Sequence, residues 1–182
     1  DDVHHEGKYY PLDGVSIYPR PERQIPIWIG GGSQVHVVDN PDQPIMVPAV
    51  LERIARHEGW ICRSSGTSPE IVKKDVNAVL DRIKQKRSTK NFTIAHAQWI
   101  HIVDSTNRDF VIEEQLKAYR SVMDVKRSDE DLQSAYLFGT IEEMIERIRS
   151  IEGTGIEHLI INPLVEDPAQ IELFSNEIMP NL

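Results

Sequence analysis

One cysteine, Cys62, stands among 182 residues. A lone thiol excludes an internal disulfide framework and suits a reducing compartment. Basic side chains are scarce as well: 20 Lys and Arg against 29 Asp and Glu leave a net charge of −9. That balance argues against nucleic acid as a partner, because phosphate affinity rests on clustered Lys and Arg. No run of about 18 apolar residues occurs, so no helix is expected to cross a bilayer. The opening DDVHHEGKYY has neither an initiator Met nor a charged leader with an apolar core. The expectation is a cytoplasmic protein with no membrane partner. What is present is ample: 40% hydrophobic residues at regular spacing and 27% charged residues describe a folded domain with a real core.

Residues 1–25 are rich in His, Tyr, Pro and charge. Pro11, Pro19 and Pro21 forbid a continuous helix there, so the stretch reads as an extended approach segment. Residues 26–29 (PIWI) form a short apolar run closed by Gly30, Gly31 and Gly32, as a buried strand ending in a tight loop would. A proline-rich insertion at 34–48 follows. Val50, Leu51, Ile54 and Ala55 then mark one helix face, Gly59 ends it, and Trp60, Ile61 and Cys62 begin a second strand.

Ser68 and Pro69 suit an N-cap and a first helical position. Val72, Val76, Val79, Leu80 and Ile83 continue as one buried stripe, and the basic tail 84–90 suits a helix C-terminus. Residues 92–103 are the longest strand candidate. Their apolar positions do not alternate cleanly, as expected when both faces are covered. A helix with Ile112, Leu116, Tyr119 and Met123 on one side comes next, then a polar, poorly patterned stretch at 124–137. Thr140 and Glu143 spell a capping box. Behind it, Ile141, Met144, Ile145, Ile148 and Ile151 supply a stripe. Gly153 and Gly155 close that helix, residues 158–161 give the last strand, and a short helix runs over 168–178. Four strand–helix units in alternation build a parallel sheet. They form either a small open α/β sheet or half of an eightfold barrel, and periodicity does not choose.

Glycines after a parallel strand let a ligand approach the backbone, and free amides there cradle phosphate. Gly31, Gly32 and Ser33 are the residues so placed. The run lacks GxGxxG spacing and a Walker lysine, so a structural turn and an anion site both fit it. Seven histidines offer less. His4, His5 and Glu6 are adjacent, and adjacent side chains seldom converge on one ion. His57 and Glu58 lack the second zincin histidine, and no metal site is assigned. Ser33, His36 and Asp39 lie within one loop, whereas triads are assembled from separate elements. On the long strand His96 reads as a core hydrogen bonder, while His101, nearer the C-terminal end, suits a pocket equally well. Arg63 just past its strand could meet an anion, and Cys62 reads as a small packing residue.

Several motifs in order resemble the bacterial luciferase-like monooxygenase family. They are Gly7-Lys8-Tyr9-Tyr10; Pro26-Ile27-Trp28-Ile29-Gly30-Gly31; the helix over 50–57 running into Glu58-Gly59-Trp60-Ile61; Gly139-Thr140 with Glu142-Glu143; Gly155-Ile156-Glu157-His158-Leu159-Ile160; and Glu177-Ile178-Met179-Pro180. The resemblance covers nearly the whole chain. It implies an α/β fold whose four β/α units are the second half of a (β/α)8 TIM barrel, strands five to eight, within residues 26–182. It implies reduced FMN or a deazaflavin coenzyme, used for oxygen insertion or hydride transfer on a small-molecule substrate. In that family the loop after the fifth strand holds the flavin phosphate, which assigns Gly31, Gly32 and Ser33 to the cofactor. The first four strands, which supply much of the flavin and substrate pocket, have no counterpart here, so no catalytic residue is assigned. The insertion at 34–48 departs from the family pattern, and displacement of the following helix would remove dipole support from the anion site. Two readings result: the C-terminal portion of a flavin-dependent oxidoreductase, served by a flavin reductase, or a non-catalytic half-barrel that associates with itself or with an N-terminal partner. Exposed strand edges make a homo-oligomer the expected state.

Overall fold

A computed structural model describes residues 2–16, 18–33, 46–62, 68–122 and 127–182. Four parallel strands form one sheet in the order of the chain. The strands are β3 (Trp28–Gly31), β4 (Gly59–Cys62), β5 (Thr93–Ile100) and β6 (His158–Pro163). A separate antiparallel pair, β1 (Val3–His5) and β2 (Leu12–Val15), precedes them. Within the extended approach segment read from residues 1–25, this pairing folds Val3–His5 back against Leu12–Val15. Both strands of the pair are exposed along their length.

Sequential strand order decides what periodicity left open. A doubly wound sheet reverses its order at a switch point and carries helices on both faces. Among the described residues this sheet keeps the order of the chain throughout, and its two larger apolar clusters join helices to one face. In-register rows such as Gly30, Ile61, Ala95 and His158 share one face, and the alternate residues share the other. Trp60, Cys62 and Ile94 from that second face pack with Ile54 of α1 (Pro48–Ile54) and with Val72, Val76, Val79 and Ile83 of α2 (Pro69–Lys84). Farther along the same face, Ile100, Leu159 and Ile161 meet Met144, Ile145 and Ile148 of α5 (Ile141–Glu152). Helices on one face of a sequentially ordered parallel sheet are four consecutive units of a (β/α)8 barrel.

Local signals explain the helices. The capping box before α5 is present in both directions: Thr140 N–H donates to Glu143 Oε2 at 3.0 Å, and Glu143 N–H to Thr140 Oγ1 at 3.4 Å. Pro69 occupies the first turn of α2, and Ser68 has the extended backbone of an N-cap, although its hydroxyl makes no cap bond. Pro48 opens α1 instead of ending the insertion; the rest of that insertion, 34–45, lies outside the described residues. The polar stretch at 124–137 hides a helix, α4 (Asp129–Ala135). Ser128 caps it by accepting from Asp131 N–H at 3.1 Å, and three acids fill its first turn, an N-terminal signature that outweighs a weak apolar pattern. Together α4 and α3 (Arg108–Val122) pack Tyr119, Leu132, Tyr136 and Phe138 into a satellite core near Trp99. The chain ends with α6 (Ala169–Leu173), a π turn at Phe174–Ile178 and a 3-10 turn at Met179–Asn181. Ile178 is returned to the core beneath α5.

Candidate functional site

In barrels of this kind chemistry gathers at the C-terminal ends of the strands. The end of β3 lies deeper than the sequence suggests, because Gly30 and Gly31 belong to the strand and pair with Ile61 and Cys62. Only Gly32 and Ser33 extend past it. Gly31 and Gly32 have φ of 156° and 157°, a region L side chains rarely adopt. A Cβ on Gly31 would also stand 2.8 Å from Val50 Cγ1. The first turn of α1 therefore lies directly against this glycine, and the insertion does not carry that helix away. Trp60 Nε1 donates to Gly31 O at 3.0 Å and fixes the strand end from the neighbouring strand.

Ser33 is 2% exposed and faces Asp75 of α2, itself 7% exposed. The Ser33 amide donates to Asp75 Oδ2 at 2.7 Å, and the Ser33 hydroxyl donates to Asp75 Oδ1. A carboxylate thus accepts from both the amide and the hydroxyl that a phosphate would use. The glycine backbone suits an approaching phosphate, while both Ser33 donors are turned to Asp75. Asp75 was not singled out from the sequence. Its signal was an acid set into the apolar stripe of α2, three residues after Val72 and next to Val76. Cys62, at the end of β4, is buried, and burial together with the nearby Asp75 charge pushes its thiol pKa far up. It packs in the core beside Ile54, Trp60 and Val76.

His96 and Gln98 lie on the helix-covered side of β5, 2% and 3% exposed. Gln98 Nε2 reaches Ala135 O at 3.4 Å and His96 Nε2 at 2.6 Å. His96 Nδ1 and Gln98 Oε1 are buried and have no hydrogen-bond partner among the described residues. Burial lowers the His96 pKa from 6.5 to about 4. His96 is buried as expected of a core residue, with one of its two ring nitrogens in contact with Gln98. His101 follows the end of β5 and is half-buried. Burial lowers its pKa, while Glu114 and Asp167 act in the opposite sense. Its backbone carbonyl accepts from Gln115 Nε2 at 3.0 Å, and the same side chain donates to Gly139 O at 3.0 Å and accepts from Gly139 N at 2.9 Å. Gln115, fully buried, thereby ties α3 to the end of β5 and to the loop before α5.

His4 and Glu58 make structural contacts away from the strand ends. His4 pairs with Asp13 at 2.7 Å on the exposed hairpin. Glu58 Oε2 accepts from Ile27 N–H at 2.9 Å, a structural contact. His36, Asp39 and Arg63 lie outside the described residues. Among the described residues no group of three His, Cys, Asp or Glu side chains is placed to hold a metal ion, and no helix is long and apolar enough to cross a membrane.

Comparison with known proteins agrees with the half-barrel. No family model matches the chain. An F420-dependent glucose-6-phosphate dehydrogenase of Microbacterium testaceum is 24% identical over 99% of this chain, which spans 55% of that relative. Among solved structures, an F420-dependent secondary alcohol dehydrogenase bound to an F420–acetone adduct superposes with a TM-score of 0.69 at 17% identity. It covers 99% of this chain and is itself covered over 56%. The oxygenating constituent of 3,6-diketocamphane monooxygenase from Pseudomonas putida, in complex with FMN, superposes with a TM-score of 0.57 at 14% identity, covering all of this chain and 58% of its own. Over almost its whole length the chain matches F420- and FMN-dependent enzymes across about half of theirs, consistent with the C-terminal half of the luciferase-like family.

Proposed function

We propose that the chain is the C-terminal portion of a luciferase-like oxidoreductase or monooxygenase that uses reduced FMN or a deazaflavin coenzyme. The observation that carries the reading is the sheet itself: four parallel strands in chain order, helices on one face and a half-open opposite face. Its relatives, matched over about half their length, support the same reading. Gly31, Gly32 and Ser33 would lie at the cofactor phosphate, where the glycines leave room for a close backbone approach. When bound, the reduced cofactor supplies hydride-transfer or oxygen-insertion chemistry, and the protein's part is to bind and orient it. A small-molecule substrate, a cytoplasmic location, a homo-oligomeric state and a reductase that delivers the flavin complete the proposal. Fluorescence titration of the complete gene product with FMN and with the deazaflavin tests it. Ser33→Ala is expected to weaken binding, and unchanged affinity would remove Ser33 from the site.

A second reading has its own observation. Among the described residues, strands β3 and β6 each have one neighbour in the sheet. Parallel edges of this kind invite pairing, so a non-catalytic half-barrel that associates with a copy of itself or with an N-terminal partner fits the same sheet. Light scattering on the 182-residue chain tests that alternative; a well-folded monomer would end it.

A further inference from the structure

We propose that Asp75 is the specificity residue of the strand-end loop, a built-in carboxylate that competes with the cofactor phosphate for Ser33 and selects against doubly charged phosphate monoesters. The inference rests on the reading that Gly31, Gly32 and Ser33 lie at that phosphate. Three features carry it. The Ser33 amide and hydroxyl both donate to the Asp75 carboxylate, one oxygen each. Both residues are more than nine-tenths buried, so the contact is not a surface pairing weakened by solvent. Asp75 also stands on the second turn of α2 among Val72, Val76 and Val79, where an ionised carboxylate is costly unless its lone pairs are satisfied. Ser33 is the partner that satisfies them.

Two anions cannot share those two donors. A phosphate at the loop must either take them from Asp75 or settle beside it. In both arrangements its charge opposes the carboxylate. A phosphate monoester such as FMN carries about −1.5 to −2 near neutral pH, whereas a phosphodiester of the deazaflavin type carries a single charge at that position. At an effective dielectric between water and protein interior, one extra unit charge about 4 Å away costs more than tenfold in affinity. Asp75 thus makes the loop a poor host for the monoester and a tolerable one for the diester. The dehydrogenases matched by this chain are F420-dependent, which is the direction this charge filter favours.

The experiment compares four ligands on the complete gene product: FMN, riboflavin, the phosphodiester deazaflavin and the same deazaflavin without its phosphate tail. Wild type, Asp75→Asn and Ser33→Ala are titrated by fluorescence, with melting temperatures as a check on folding. Asp75→Ser repeats the arm if the amide is not tolerated. The expected result is that Asp75→Asn tightens FMN by about tenfold or more, tightens the diester less, and leaves both phosphate-free ligands unchanged. If Asp75→Asn leaves FMN unchanged or weaker while Ser33→Ala weakens it, the filter is overturned and the phosphate site stands. If FMN binds no differently from riboflavin in every variant, the phosphate does not lie at this loop, and the site reading falls together with the filter.

Discussion

The two faces of the parallel sheet are built from the same four strands yet live in different environments. On the helix-covered face Trp60, Ile94 and Ile100 are 0–2% exposed, and each belongs to a continuous apolar cluster. On the opposite face Trp28, Ile61, Thr93, Ala97, Ile160 and Asn162 are only half-buried, and His158 is exposed. Two tryptophans on neighbouring strands show the contrast at its sharpest. Trp60 is sealed among helix side chains. Trp28 lies over Gly59, where a Cβ would meet its ring at 2.5 Å, and makes an edge-on contact with His158 at 5.6 Å between ring centroids. The large apolar clusters gather on the covered face, and most residues of the other face are left half-buried.

The largest expected effect breaks the covered face. Trp60→Ala removes a fully buried side chain and should cost about 3–5 kcal/mol, read as a shift in urea midpoint or as failure to fold. Next is a pH effect from the same face. The buried His96 ring has its pKa lowered to about 4, against 6.5 ordinarily. Between those values the unfolded chain binds the extra proton, so the stability held above pH 6.5 drains away as pH falls toward 4. The size of the loss is about 3 kcal/mol. His96→Leu should remove that component, and urea melts of both proteins at about pH 7.5 and about pH 4.5 measure the difference. The smallest effect belongs to the open face. Trp28→Ala gives up little burial and one ring contact, about 1 kcal/mol. A loss as large as that of Trp60→Ala would mean that the two faces are equally load-carrying and would erase the comparison.

Much of this architecture was legible in the residues. The stripe Val72, Val76, Val79 and Ile83 and the Thr140–Glu143 box are local patterns, and local patterns survive into the structure unchanged. Strand order is not local. Periodicity reports which residues face a core, not which strand is next door, and only the registry between Gly30, Ile61, Ala95 and His158 reveals a barrel segment. The hairpin of Val3–His5 with Leu12–Val15 escaped for the same reason: its residues are exposed and carry no apolar pattern. At the candidate site the glycines were visible as a motif. Asp75 was not, because its meaning comes from Ser33, forty-two positions away in the chain. Gln115 was hidden likewise, a polar residue whose three hydrogen bonds reach His101 and Gly139 on two other segments.

Sequential strand order also has a kinetic side. Each strand leans on the one before and the one after, so the sheet behaves like a short row of stacked repeats with nearest-neighbour couplings. Such a row opens from its ends. Amide exchange should be fastest in β3 and slowest in the middle of β5, which is flanked by β4 and β6 and is the longest strand of the sheet. The loop at Gly31, Gly32 and Ser33 sits on an end strand of that row. The Ser33–Asp75 link fastens this end strand to α2, so a ligand that loosened the link would unfasten the row at the point where opening begins.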